Sequence, residues 1–352
     1  MKNWKEICEA GMIPGCATHN PAETIPFLES SGLDIKAYLA PVNPIGEFMG
    51  QEPDKVIKII ENAKKPVIGS LNGLPAHIRR ATYPGNDFKS MPAPGPHDWL
   101  AHHPEPGQTY EEYKYSKPVK TDNIRNIIYL RPIGKFPEGR SPSLKTLKGF
   151  AGAYFNIDVK ILPALSLSDH NITTLTTRIN NFTGKRQILT GDILALLQKN
   201  IPSDAYCVLA ITMEDLYPDP TWNFVFGQAS LHDRVGVFSF ARYDPLFYGE
   251  ARAKDYDKIL LFRSCKVLAH ETGHMFGMYH CIYYQCCMNG SNHLKESDSR
   301  PIHLCPVCLR KLYYSIGFDI NSRYRELSRF YKKTGFKNMA QWIDNRLVKI
   351  SE

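Results

Sequence analysis

His270-Glu271-Thr272-Gly273-His274-Met275-Phe276-Gly277-Met278-Tyr279-His280 is the stretch on which the reading of this 352-residue chain turns. On a helix His270 and His274, four residues apart, project from one face about one turn from each other, so both imidazoles can reach a single ion. The apolar run from Ile259 to Phe276 supplies that helix. Gly277 stands where a left-handed backbone is cheapest, which predicts the helix stop, and the reversed chain can return His280 to the same ion. Three neutral histidines leave a fourth position for water, the arrangement of a catalytic rather than a structural zinc site. Glu271 adjoins a ligand but points about 100° away around the helix, beside the water position rather than on the ion. A general base belongs there: the carboxylate can take a proton from water during attack on a carbonyl and pass it to the leaving amine. Peptide hydrolysis is the reaction class this chemistry suits.

A second constellation begins one residue later. Of the nine cysteines, Cys8, Cys16, Cys207 and Cys265 are scattered, whereas Cys281, Cys286, Cys287, Cys305 and Cys308 fall within 28 residues. An odd count and an N-terminus without the apolar core of an export signal argue against a disulfide framework. Cys281 and Cys286 with Cys305 and Cys308 make two pairs of thiolates, enough to close a tetrahedral zinc site that adds folding energy and leaves no place for substrate. Two zinc ions per chain are therefore expected. Spacing alone leaves Cys287 able to stand in for Cys286. Met288, eight residues after His280, reads by itself as a core methionine.

The rest of the chain sets these sites in a soluble α/β protein. The hydrophobic share of 43% and charged share of 22% exclude disordered and fibrous classes. No run approaches the roughly 18 apolar residues of a membrane span, so the expected compartment is the cytoplasm, with the nucleus second. Residues 1–75 read as an α/β extension, with an apolar run at Ile35–Val42, a helical pattern over Lys55–Ala63 and a short strand at Pro66–Ser70. Residues 76–122, rich in Pro and Gly, read as a linker whose His97, His102 and His103 are solvated. From 123 to 320 strands alternate with helices: a strand at Ile128–Ile133, a helix over Ser143–Phe155, a strand around Ile157–Ile161, a helix from Thr190 and a central strand at Ala205–Met213. Trp222–Ser230 and Val235–Tyr243 read as outer strands. Residues 321–352 form a basic helical segment.

HExxHxxGxxH followed by a methionine turn resembles the metzincin metallopeptidases, and His280-Cys281-x4-Cys286-x-Met288 with Cys305-x2-Cys308 resembles the archaemetzincins. The likeness extends through Gly290–Pro301, Leu304–Leu312, Trp222–Leu231 and Gly236–Tyr243, and more loosely to Gly95–Glu105. It implies a compact catalytic domain with a twisted mixed sheet, an active-site helix and a four-cysteine zinc subdomain at its C-terminal end. His270, His274 and His280 would bind catalytic zinc, Glu271 would be the general base, and Met288 would form an apolar floor below the metal. Cys281, Cys286, Cys305 and Cys308 would bind structural zinc. An antiparallel edge strand over the cleft is implied as well, for which Val235–Phe240 is the candidate, and the substrates implied are short peptides with aminopeptidase-type cleavage. Residues 1–75 match nothing in this family.

The net charge is +8, and Pro301–Glu352 carries ten Lys and Arg against four Asp and Glu. An alternative reading is therefore a zinc-stabilised binding module whose basic, aromatic tail meets nucleic acid or an acidic protein. Tyr324, Leu327, Phe330 and Tyr331 fall at helical spacing, however, which favours a packed helix with a solvated basic face. Nucleic acid is thus the disfavoured partner and a peptide the favoured one; a monomer without membrane association is expected.

Overall fold

The computed structural model describes residues 15–17, 21–31, 37–40, 59, 62–63, 67–69, 76–83, 85–167 and 175–351, which divide into two units, Met1–Phe88 and Lys89–Glu352. In the smaller unit strands β1 (Gly15–Ala17), β2 (Ala37–Ala40) and β3 (Val67–Gly69) pair in parallel in that order. Helices Pro21–Ser30 and Ala76–Ala81 complete its described part. The helical pattern over Lys55–Ala63 lies for the most part outside the described residues.

In the larger unit the sheet strands are β4 (Ile127–Ile133), β5 (Asp158–Ile161), β6 (Thr177–Ile179), β7 (Arg186–Leu189), β8 (Ala205–Thr212), β9 (Asp215–Tyr217), β10 (Gly227–Ala229) and β11 (Val235–Ser239). Five of them form a mixed sheet in the order β10-β11-β8-β4-β5, and β6-β7-β9 form a second sheet. Helix Leu144–Phe155 crosses between the parallel strands β4 and β5, as expected of a β-α-β unit. Every residue of β8 is buried, because helices cover both faces of the sheet at its centre. On one face Val208, Ala210 and Val237 pack with Ile193 and Leu197 of helix Thr190–Gln198. On the other, Gly236 and Leu209 face Met275 of the long helix Tyr256–Met275. The Tyr206 hydroxyl donates to the Met275 carbonyl at 3.1 Å, and its ring stacks on Phe276 with centroids 4.2 Å apart. The end of the helix that carries the histidines is thereby pinned to the sheet.

One expectation is corrected. Val235–Ser239 is an inner strand, parallel to β8 and buried throughout, because its apolar residues face both layers. The antiparallel edge is instead β10, Gly227-Gln228-Ala229, whose small and polar residues suit a half-exposed position. The segment 76–122, read as a linker, contains the boundary between the units, with residues 76–88 in the smaller and 89–122 in the larger. Its prolines prevent long helices, yet its backbone is tied down, with Met91 N donating to Tyr283 O and Trp99 N to the Glu296 carboxylate. Residues 321–352, read as a basic helical segment, lie in the larger unit as two helices, Ile320–Lys333 and Lys337–Ser351. Arg323 donates to Tyr154 O at 2.6 Å and Phe330 meets Phe150, while Tyr324, Leu327 and Tyr331 are buried, the face that their spacing predicts.

Asp215 and Arg242, joined by two hydrogen bonds of 2.7 and 2.8 Å and almost wholly buried, tie β9 to the turn after β11. Replacing Asp215 by Ala strands the guanidinium in the core. Denaturant unfolding of Asp215→Ala should show a loss of about 3–5 kcal/mol.

Candidate active site

His270 and His274 occupy successive turns of helix Tyr256–Met275, and the helix stops where Gly277 takes φ +78°. That left-handed residue turns the chain so that His280 comes back beside the other two, with ring centroids 5.3 Å from His270 and 4.9 Å from His274. One nitrogen from each of the three rings falls within 4.8 Å of the others. The Nδ1 atoms are used up by the protein: His270 Nδ1 bonds to Cys287 O at 2.9 Å, His274 Nδ1 to Met278 O at 2.7 Å, and His280 Nδ1 to Glu105 Oε1 at 2.8 Å. Carbonyl and carboxylate acceptors place the proton on Nδ1 and leave Nε2 as a lone pair. The Nε2 atoms of His270 and His274 lie 3.0 Å apart, close to the roughly 3.4 Å edge of a tetrahedron with 2.1 Å zinc–nitrogen bonds. Burial, reinforced by the neighbouring imidazoles, pushes the His270 pKa far down and that of His274 down to about 3. These two rings are neutral, and three convergent nitrogen donors fit a zinc ion.

Glu271 lies at 6% exposure and lines the same cleft, a cavity of about 520 Å³ bordered by edge strand β10. Its Oε1 is only 2.6 Å from where a β-carbon on Gly227 would stand, so the glycine of the edge strand makes room for the carboxylate. Burial pushes the Glu271 carboxyl up to about 8; a dication among the histidines opposes that shift by favouring the charged form. Met288 packs beneath the same helix turn, its thioether against Gly273, between the two helix histidines, where a β-carbon would collide with it.

The cysteine cluster is a separate, closed site. The sulfurs of Cys281, Cys286, Cys305 and Cys308 lie within 4.8 Å of one another and are at most 3% exposed. Cys286 is the member of the quartet; Cys287 stands outside it, with its thiol directed at Lys266 O. Backbone N–H groups of Met288 and Cys305 donate to Cys286 Sγ, and that of Cys308 to Cys305 Sγ, which fixes the sulfurs' positions. Asn289 holds the loop by donating to the carbonyls of Cys281 and Tyr284 while accepting from Cys286 N. The sulfur donor set fits zinc.

Sequence reasoning missed Glu105. It sits in the stretch read as linker, yet its Oε1 accepts from both His280 and the Trp99 indole N–H, the latter also at 2.8 Å. Burial raises its pKa, but the hydrogen bond and charge of His280, helped by Trp99, outweigh that and leave the carboxyl below its usual range. His103 is not simply solvated either: it stacks between Trp99 and Trp222. The only signal for either residue was the loose likeness over Gly95–Glu105.

Three imidazoles that leave room for water, with a buried carboxylate at their side, define the class of zinc-dependent metallopeptidases, and comparison with known proteins places the chain within it. Residues 181–314 match the family model described as peptidase family M54. Archaemetzincin-2 of Homo sapiens is 41% identical over 79% of this chain and 85% of its own length, and archaemetzincin-2 of Mus musculus 43% identical over 74% and 76%. Among solved structures, the archaemetzincin of Methanopyrus kandleri is similar at 29% identity over 55% of this chain and 97% of that one, with a TM-score of 0.41. The chain belongs to the archaemetzincins.

Two outcomes follow from the geometry. Glu105→Ala should lower the affinity of the histidine triad for zinc by about 10–100-fold, read by competition with a chelator, while zinc bound at the cysteines stays in place. Cys305→Ser should carry one zinc fewer than the parent by metal analysis and unfold at lower temperature.

Proposed function

We propose that His270, His274 and His280 hold a catalytic zinc, that Glu271 is the general base, and that Cys281, Cys286, Cys305 and Cys308 hold a second, structural zinc. The observation that carries this reading is the convergence of three free Nε2 donors in a cleft that Glu271 also lines. Zinc bound there supplies a Lewis acid that polarises a carbonyl and brings the pKa of water near 7. Glu271 takes the proton from the attacking water and delivers it to the leaving nitrogen. Met288 fills the space under the helix turn and keeps the histidines at fixed spacing. Edge strand β10 offers its open side for backbone pairing with an extended peptide.

Short peptides cleaved from the free amino end are the substrates we favour. Glu105 supports this: its Oε1 is committed to His280 and Trp99, whereas Oε2 has no hydrogen bond among the described residues and the side chain lines the cleft. An open carboxylate oxygen beside the third histidine suits the α-ammonium group of a substrate. The reduced, buried thiols favour the cytoplasm or nucleus, and among the described residues no helix is long and apolar enough to cross a membrane. The binding-module alternative loses its main support, because Tyr324 and Tyr331 are core residues and the Trp342 ring is stacked on His303.

Glu271→Ala should keep its zinc and lose peptide hydrolysis by about 10²–10⁴-fold. Unchanged hydrolysis would remove Glu271 from the mechanism. Acetylating the amino end of a cleaved peptide should abolish turnover; equal cleavage of blocked and free peptides would make the enzyme an endopeptidase.

A further inference from the structure

The cleft wall formed by Arg300 and Lys266 contains two buried cationic side chains, and the arginine is incompletely hydrogen-bonded by the protein. Arg300 is 7% exposed and lines the cleft with Glu271. Its Nε has no hydrogen-bond partner, and its one ion pair, to Glu296 Oε1, is long at 3.7 Å. The Glu296 oxygens also accept from Trp99 N at 3.1 Å and Asn292 N at 2.8 Å, contacts that hold the carboxylate in place at that distance. Asp298, the other nearby acid, is held by Arg263 through two hydrogen bonds of 3.0 and 2.6 Å. Lys266, one helical turn before His270, is 6% exposed and also lines the cleft. Its ammonium donates to the carbonyls of Ser297 and Arg300, which carry no full charge. A buried guanidinium nitrogen without a hydrogen bond costs stability unless an acceptor comes to it.

We infer that Arg300, with Lys266 beside it, is the specificity site of the cleft and takes a carboxylate of the substrate. The planar fork of an arginine matches a carboxylate, and where the arginine is mostly buried such a pair discriminates against the uncharged amide. Two parts of a short peptide carry that group, the side chain of Asp or Glu and the free carboxyl end. This deepens the reading of the cleft as a peptidase site and rests on it for the nature of the ligand.

Equilibrium binding separates the two ideas. The zinc-loaded Glu271→Ala protein is titrated calorimetrically with tripeptides that carry Glu or Gln at the first, second or third position, each with a free or an amidated carboxyl end. At one position, or at the carboxyl end, the acid should bind about 10–100-fold more tightly than its amide. Preference confined to the side chain identifies an acidic residue as the ligand, and preference confined to the free end identifies the terminal carboxylate. Arg300→Gln should bring the ratio of acid to amide within about twofold, whereas a purely structural arginine would weaken both equally and leave the ratio standing. Arg300→Lys, which keeps the charge, should retain part of the preference and controls for folding. Equal affinity for acid and amide at every position in the Glu271→Ala protein overturns the inference, and it does so without any variant at Arg300. If the acid preference is found while the parent cleaves no peptide, the carboxylate site stands and the peptidase mechanism is what fails.

Discussion

Each cleft histidine gives one ring nitrogen to the protein so that the other is free, and most of the larger unit can be understood as the means of supplying those three acceptors. The Met278 carbonyl reaches His274 because Gly277 reverses the chain. The Cys287 carbonyl reaches His270 because the loop that carries the cysteine quartet lies under the helix. Glu105 reaches His280 because the Pro-rich segment is bound to the body through Trp99 and Gln108. Loss of any one acceptor would free a ring to rotate or change tautomer, and the convergence of the Nε2 atoms would be lost with it.

The two metal-ligand sets are coupled through this arrangement. Met288 and Cys287 lie between Cys286 and the loop that leads to Cys305, so the same turn supplies a thiol to one set and a carbonyl and an apolar floor to the other. Cys287 N is itself held by His303 O, two residues before Cys305. The closed sulfur cluster thus serves as scaffold for the open cluster of histidine nitrogens. Their adjacency in sequence, with His280 followed directly by Cys281, keeps the coupling short and stiff.

The histidine and cysteine clusters were legible in the sequence because their spacing is set by one helix and one turn. Four residues fix His270 against His274, a glycine fixes the reversal, and paired thiols announce themselves. The central strands were legible for a similar reason, since residues buried on both faces leave an unbroken apolar run such as Ala205–Thr212. The edge was not. Gly227-Gln228-Ala229 has too little side chain to show an alternation, whereas the apolar Val235–Ser239 resembles an exposed-edge strand only if its second face is not counted. Glu105 and Arg300 escaped for a different reason: their roles depend on partners 175 residues away in the first case and on a missing acceptor in the second, and neither leaves a local pattern.

The central claim is that two distinct zinc sites, one open and one closed, stand side by side in the larger unit. Diffraction data from zinc-loaded crystals, collected on both sides of the zinc absorption edge, test it most directly. The account predicts two anomalous peaks, one at the Nε2 atoms of His270, His274 and His280, the other among the sulfurs of Cys281, Cys286, Cys305 and Cys308. A zinc-saturated protein with no peak at the histidines, or with Cys287 rather than Cys286 on the second, would contradict it.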